Sequence, residues 1–215
     1  MATKRASEMP AFIVMDILEK AQEMERSGKD IIHLEVGEPD FDTPECISEA
    51  CCRAIREGKT HYANSLGLIE LREAICEYYF TKYSLDISPD QIIVTSGTSP
   101  AMFLLFSALI EKGDEIIISD PHYACYPNYI SFFEGIPARV NVFEENGFQY
   151  TPESIMENIT AKTKGIMINS PSNPTGNLLS PEMMSEITSH GIPVISDEIY
   201  HGLAYENNKE HSILE

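Results

Sequence analysis

Four polar, turn-forming clusters each stand where an apolar, β-branched run stops, and this restricts the fold more than any other feature of the chain. Gly97-Thr98-Ser99 follows Ile92 to Thr95, and Pro121-His122-Tyr123 follows Ile116 to Ile118. Ser172-Asn173-Pro174-Thr175-Gly176 follows Ile166 to Ile168, and Asp197-Glu198-Ile199-Tyr200 follows Val194-Ile195. If the runs are parallel strands, their ends share one edge of a sheet. Ligands of open α/β sheets bind outside that edge, so the four clusters describe one site. Strands are expected near 92 to 95, 115 to 119, 138 to 143, 165 to 169 and 193 to 196, separated by helical runs near 98 to 110, 123 to 133, 152 to 159 and 181 to 189. That alternation predicts a three-layer α/β/α fold on a mostly parallel sheet with right-handed crossovers.

The first third of the chain reads differently. Val14, Ile17, Leu18, Ala21 and Met24 recur at helical spacing, and Gly28 is placed to end that helix. A second helix is expected with Thr43 as N-cap and Pro44 in its first turn, burying Ile47, Ala50, Ala54 and Ile55 and stopping near Gly58. A third carries Leu71, Ile75 and Tyr78 on one face. Residues 1–45 are read as an arm and small-domain segment, and 46–215 as part of a large domain.

A formal charge of −19 offers no basic stripe for a phosphate backbone, which argues against a nucleic-acid partner. The longest apolar stretch, Ala101 to Ile110, is too short to span a bilayer and is interrupted by Ser107, so no membrane partner is expected. Cys46, Cys51, Cys52, Cys76 and Cys125 form no C-x-x-C pair and no spacing that suggests a metal site. They are read as reduced thiols packed as small hydrophobes in a cytoplasmic protein.

In order along the chain, Leu34-Glu35-Val36-Gly37-Glu38-Pro39-Asp40-Phe41, Tyr62, Gly67, Leu71-Arg72-Glu73, all four clusters and Tyr205 resemble the class I, fold-type I, pyridoxal-phosphate-dependent aminotransferases related to aspartate aminotransferase. The resemblance implies pyridoxal 5'-phosphate as cofactor, amino acid and 2-oxo acid substrates, and a homodimer. It also implies roles for individual residues. Asp197 faces the pyridine nitrogen and keeps it protonated, so that the ring accepts electrons when the substrate loses its α-proton. Asn173 and Tyr200 donate hydrogen bonds to the phenolate oxygen. Gly97, Thr98 and Ser99 receive the phosphate at a helix N-terminus. Tyr123 stacks on the ring, Tyr62 reaches the phosphate of the partner's cofactor, and Gly37 lies with Asn173 against the substrate. Asp120-Pro121 and Asn173-Pro174 are candidates for cis peptides.

Each residue also has a plainer reading. Asp197 can cap a turn after a strand, Asn173 can be an ordinary Asn-Pro turn residue, and Tyr200 and Tyr123 can be boundary or core aromatics. Gly97 to Ser99 can be a simple helix start.

The chain also departs from the pattern. The family's Schiff-base lysine lies in an S-x-S-K type motif beyond the D-E-x-Y segment, and no such motif follows Asp197 here. Lys209, the one lysine after Asp197, sits in the polar run Glu206 to Glu210. The family's phosphate-binding and carboxylate-binding arginines are absent as well. The family sheet order, 3-2-4-5-6-7-1 by strand sequence, leaves a four-strand block and a detached first strand in this chain. The expectation is therefore the N-terminal portion of an aminotransferase, inactive in isolation. Alternatives are another fold-type I reaction such as C–S β-elimination, or a non-catalytic fragment.

Overall fold

The computed structural model describes residues 2–205 and 208–215. Its centre is an all-parallel sheet of four strands, β1 (Glu115–Asp120), β2 (Ile136–Asn141), β3 (Thr163–Asn169) and β4 (Val194–Asp197), in the order β2-β1-β3-β4. The α/β class and the four-strand block match the expectation. The run from Ile92 to Thr95 does not join the sheet. Ile92 is extended (φ −112°, ψ 129°), but Val94 N donates to Leu66 O in a loop instead of to a strand.

Both faces of the sheet are covered because its strands are apolar on both sides. Ile116, Ile117 and Ile118 are each fully buried. Side chains alternate across a strand, so Ile116 and Ile118 pack with Met167 and Ile195 against Met102 and Phe106 of α5 (Thr98–Leu109) and Ile130 of α6 (Tyr126–Phe132). On the opposite face, Ile117, Ile166 and Ile168 meet Ile155 of α7 (Pro152–Met156) and Met184 and Ile187 of α8 (Pro181–Ser189). Burying each such side chain contributes about 2 kcal/mol. Helix α7 begins where Thr151 accepts from Ser154 N, and α8 where Ser180 accepts from Met183 N, each with proline in the first turn.

The N-terminal helices are α1 (Lys4–Glu8), α2 (Ile13–Arg26), α3 (Glu45–Arg56) and α4 (Ile69–Tyr83). Helix α2 ends as expected, with Gly28 at φ +88° and Lys29 N bonded back to Met24 O. At α3 the expected cap is displaced by one residue. Pro44 is the N-cap, without a side-chain cap bond, and its carbonyl accepts from Ile47 and Ser48, which leaves Thr43 outside the helix.

The expected burial of α3 does not occur. Ile47 and Ile55 are exposed, and none of the residues of α3 is buried. On α4, Leu71 and Tyr78 are exposed, Ile75 is half-buried, and the buried residues are Arg72 and Tyr83. Apolar spacing marks the face a helix can bury but does not supply the surface that buries it. The thiols also differ from expectation. All five cysteines are free, with Cys46, Cys51 and Cys52 exposed and Cys76 and Cys125 half-buried. Among the described residues, no helix is long and apolar enough to cross a membrane.

Candidate active site

The strand ends and the N-terminus of α5 enclose a cavity of about 110 Å³. Thr98, Ser99, Tyr123, Asn173, Asp197 and Tyr200 line it, so six residues singled out in the sequence share one space. Gly97, at φ +111°, is the N-cap of α5 and makes no side-chain cap bond; a Cβ there would meet nothing within 4 Å. The helix therefore opens with free N–H groups beside two hydroxyls, which suits an anion.

Register places the carboxylate. β3 and β4 pair with Asn169 opposite Asp197, so both end at the same level. Asn169 Nδ2 donates to Asp197 O (2.9 Å), and its Oδ1 accepts from Asn173 N (2.7 Å), which fixes the following loop to the strand end. The Asp197 carboxylate is nearly buried; Oδ2 accepts from Tyr126 OH at 2.8 Å and Oδ1 from Ile199 N at 3.3 Å. An ionised carboxylate has about four acceptor positions, so capacity remains for another donor from the cavity.

Asn173 Nδ2 donates to Tyr200 OH (3.1 Å), which leaves the hydroxyl hydrogen of Tyr200 available for a further acceptor. Ser99 and Tyr129 hydroxyls bond at 2.8 Å. The Asp120-Pro121 and Asn173-Pro174 bonds are cis, as expected, and Ser170-Pro171 is cis as well.

Three phenols hold their protons above the usual range, Tyr126 and Tyr123 well above it. Burial is the first cause for Tyr126, followed by the negative charge of Asp197. Burial also leads for Tyr123, then the Cys125 thiol, and for Tyr129, where the Ser99 bond works in the opposite direction. The rings therefore present neutral donors rather than phenolates. Tyr123 meets Tyr126 edge-on at 5.3 Å and Phe12 edge-on at 6.3 Å.

Two residues singled out in the sequence lie outside the cavity. Gly37 is exposed and Tyr62 fully so, and neither lines the cavity. Sequence reasoning missed Met102, Tyr126, Tyr129, Asn169 and Ile199, which also line it. A signal existed for three of these. Tyr126 and Tyr129 continue from Tyr123 at intervals of three, one face of a helical turn. Asn169 ends its strand as Asp197 ends its own.

Comparison with known proteins gives consistent matches. The family model for aminotransferase class I and II matches residues 29–214. The chain is 48% identical over 207 residues to a (5-formylfuran-3-yl)methyl phosphate transaminase of Methanocaldococcus jannaschii, covering 96% of this chain and 54% of that one. It is 39% identical over 216 residues to an aspartate aminotransferase of Geobacillus stearothermophilus, covering 99% and 55%. The solved aspartate aminotransferase of Thermus thermophilus with maleate superposes with a TM-score of 0.94 at 38% identity, over 99% of this chain and 56% of that one. The chain thus spans about half the length of the curated relatives it matches.

Proposed function

This chain belongs to the class I and II aminotransferases, and from that premise we propose that the protein transfers an amino group between an amino acid and a 2-oxo acid, using pyridoxal 5'-phosphate in the cavity at the strand ends. The observation that carries the reading is the joint placement of a nearly buried carboxylate, Asp197, and an open helix N-terminus, Thr98–Ser99, on one cavity. These suit the two ends of the cofactor, a ring nitrogen that must stay protonated and a phosphate dianion. Bound there, the cofactor supplies an electron sink for the α-carbon of an amino acid.

The chain's own residues do the rest. Asp197 holds a proton on the ring nitrogen, and Tyr126 OH holds Asp197 in place. Tyr200 and Asn173 hydrogen-bond the phenolic oxygen; both are neutral, so neither brings a competing charge. The N–H groups and hydroxyls that open α5 bind the phosphate. Tyr123 covers one face of the ring. Gly37 serves the substrate and Tyr62 the cofactor of a partner subunit in a homodimer, a role that the full exposure of Tyr62 supports. Five free cysteines support a cytoplasmic setting.

The test is a panel of amino donors with the cofactor and a 2-oxo acid acceptor, followed by quantitation of both products. One new amino acid per oxo acid formed is the expected result, with loss of turnover in Asp197→Ala. Release of ammonia and pyruvate from a sulfur amino acid without any acceptor would replace amino transfer by β-elimination.

A further inference from the structure

We propose that His201 is a positioning residue for this pocket: its imidazole ties the turn that carries Tyr200 to the loop that carries Asn173 and to the end of helix α4. The inference rests on the cofactor reading above and extends it to a residue that does not line the cavity.

Three segments distant in sequence converge on the ring. His201 directly follows Tyr200. Its Nε2 lies 3.1 Å from Ser170 O, at the start of the loop that leads to Asn173. Its Nδ1 lies 2.6 Å from the hydroxyl of Tyr83, the last residue of α4. A carbonyl oxygen can only accept, so Nε2 carries the hydrogen, and in the neutral ring Nδ1 then accepts from Tyr83 OH. Nδ1 also faces the Glu198 carboxylate, with Oε2 3.7 Å away, so both nitrogens have partners. Tyr83 is buried and the His201 side chain is only 9% exposed, so water competes little for either bond.

A second strap runs beside the first. Glu210 Oε1 accepts from Lys82 Nζ at 2.8 Å and from Gly202 N at 2.7 Å, joining the residue before Tyr83 to the residue after His201. The Lys82 ammonium lies over the rings of Tyr78 and Tyr83, 5.4 and 5.2 Å from their centroids. On the other side, Glu198 Oε1 accepts from Ser196 Oγ at 2.9 Å and Ile213 N at 2.9 Å. The turn that holds Tyr200 is thus anchored on both flanks. The Tyr200–Asn173 contact has one anchored ring behind both of its loops, so a change at Tyr83 reaches the phenolic-oxygen donors through His201.

A double-mutant cycle in the full protein tests this, read as the dissociation constant of pyridoxal phosphate by tyrosine fluorescence quenching. Tyr83→Phe removes one oxygen and should weaken cofactor binding about fivefold, the size of one lost hydrogen bond. Made on top of Tyr200→Phe, it should cost almost nothing further, because the group it positions is gone. A merely structural brace would cost the same in both backgrounds, and that result, or no effect of Tyr83→Phe alone, overturns the proposal. Should Tyr83→Phe fail to fold, His201→Gln removes the same contact, retains a donor toward Ser170 O and gives the same cycle. No binding by the unsubstituted protein would overturn the cofactor reading and this inference together. Binding that Tyr200→Phe weakens but Tyr83→Phe and His201→Gln leave unchanged overturns this inference alone.

Discussion

Replacing Tyr126 with phenylalanine isolates one contact of the pocket. The ring stays, so no cavity opens in the cluster it shares with Ile116 and Ile130. Only the hydroxyl that donates to Asp197 Oδ2 at 2.8 Å is lost. Tyr126 is 3% exposed and Asp197 8%, so water does not readily replace the donor. A hydrogen bond to a charged group contributes about 1.5–3 kcal/mol, and a buried carboxylate left short of a donor belongs in that range. We expect a loss of about 2 kcal/mol in the cofactor-free protein. With a urea m-value of about 2 kcal/mol/M, the unfolding midpoint falls by about 1 M at unchanged slope. The same substitution in an Asp197→Asn background should cost less than half as much, since the acceptor is then uncharged. A midpoint shift under about 0.2 M, or an equal loss in both backgrounds, would refute the argument that Tyr126 acts on the charge of Asp197.

The remaining expectations concern other parts of the chain. His33 bridges Glu35 (2.6 Å) and Glu25 (3.0 Å), and the Glu35 bond, then the Glu25 bond, raise its pKa, while the His33 bond lowers that of Glu35. The histidine's contribution is complete below its unfolded pKa of about 6.5 and is lost as pH rises through its raised value; that of Glu35 is present above about 4.5 and is lost as pH falls through its lowered value. Protection of the Leu34 amide, which donates to Glu35 Oε2, should therefore peak in mildly acidic solution in hydrogen exchange, and a flat profile would remove the clamp. Gly67→Ala places a Cβ 2.6 Å from Val94 Cβ at φ +99° and should cost about 1–3 kcal/mol in urea unfolding; a change under about 0.3 kcal/mol would contradict that close approach. Among the described residues no lysine lines the cavity, so borohydride reduction of the 215-residue chain after incubation with pyridoxal phosphate should label lysines substoichiometrically. Stoichiometric modification of one peptide, above all that containing Lys209, would contradict it.

The parallel sheet and its flanking helices were legible because their signal is local. Ile116 to Ile118 and Ile166 to Ile168 are short β-branched runs bounded by turn formers, and β1, β3 and β4 each hold such a run, whereas β2 holds only the separated Ile136 and Val140. Helix α8 starts and ends at the expected residues because Ser180 and Pro181 mark its first turn. Pairing partners are not local. Ile92 to Thr95 reads as a strand on the same grounds, yet β structure requires a neighbour, and its backbone bonds to Leu66 in a loop. Likewise Ile47 and Ile55 announce a face without naming what lies opposite. In the pocket, residues at strand ends were found because sheet topology predicts where they go. Tyr126, inside a helix and pointing back at Asp197, required the third dimension. His201 is silent in the sequence, because an imidazole after a tyrosine carries no spacing signal of its own.

The strand order β2-β1-β3-β4 has a consequence for synthesis. β1 lies between β2 and β3, but β2 leaves the ribosome before β3, and the stretch 142–162 must follow before β3 can arrive. At roughly 5–20 residues per second, one backbone edge of β1 stays unpaired for on the order of a few seconds. That edge belongs to the run Glu115–Asp120, whose Ile116, Ile117 and Ile118 are the most apolar and β-prone segment of the sheet. A growing chain thus exposes its stickiest hydrogen-bonding edge in the interval before β3 closes it, which makes the 142–162 stretch the point where delay on the ribosome does most harm.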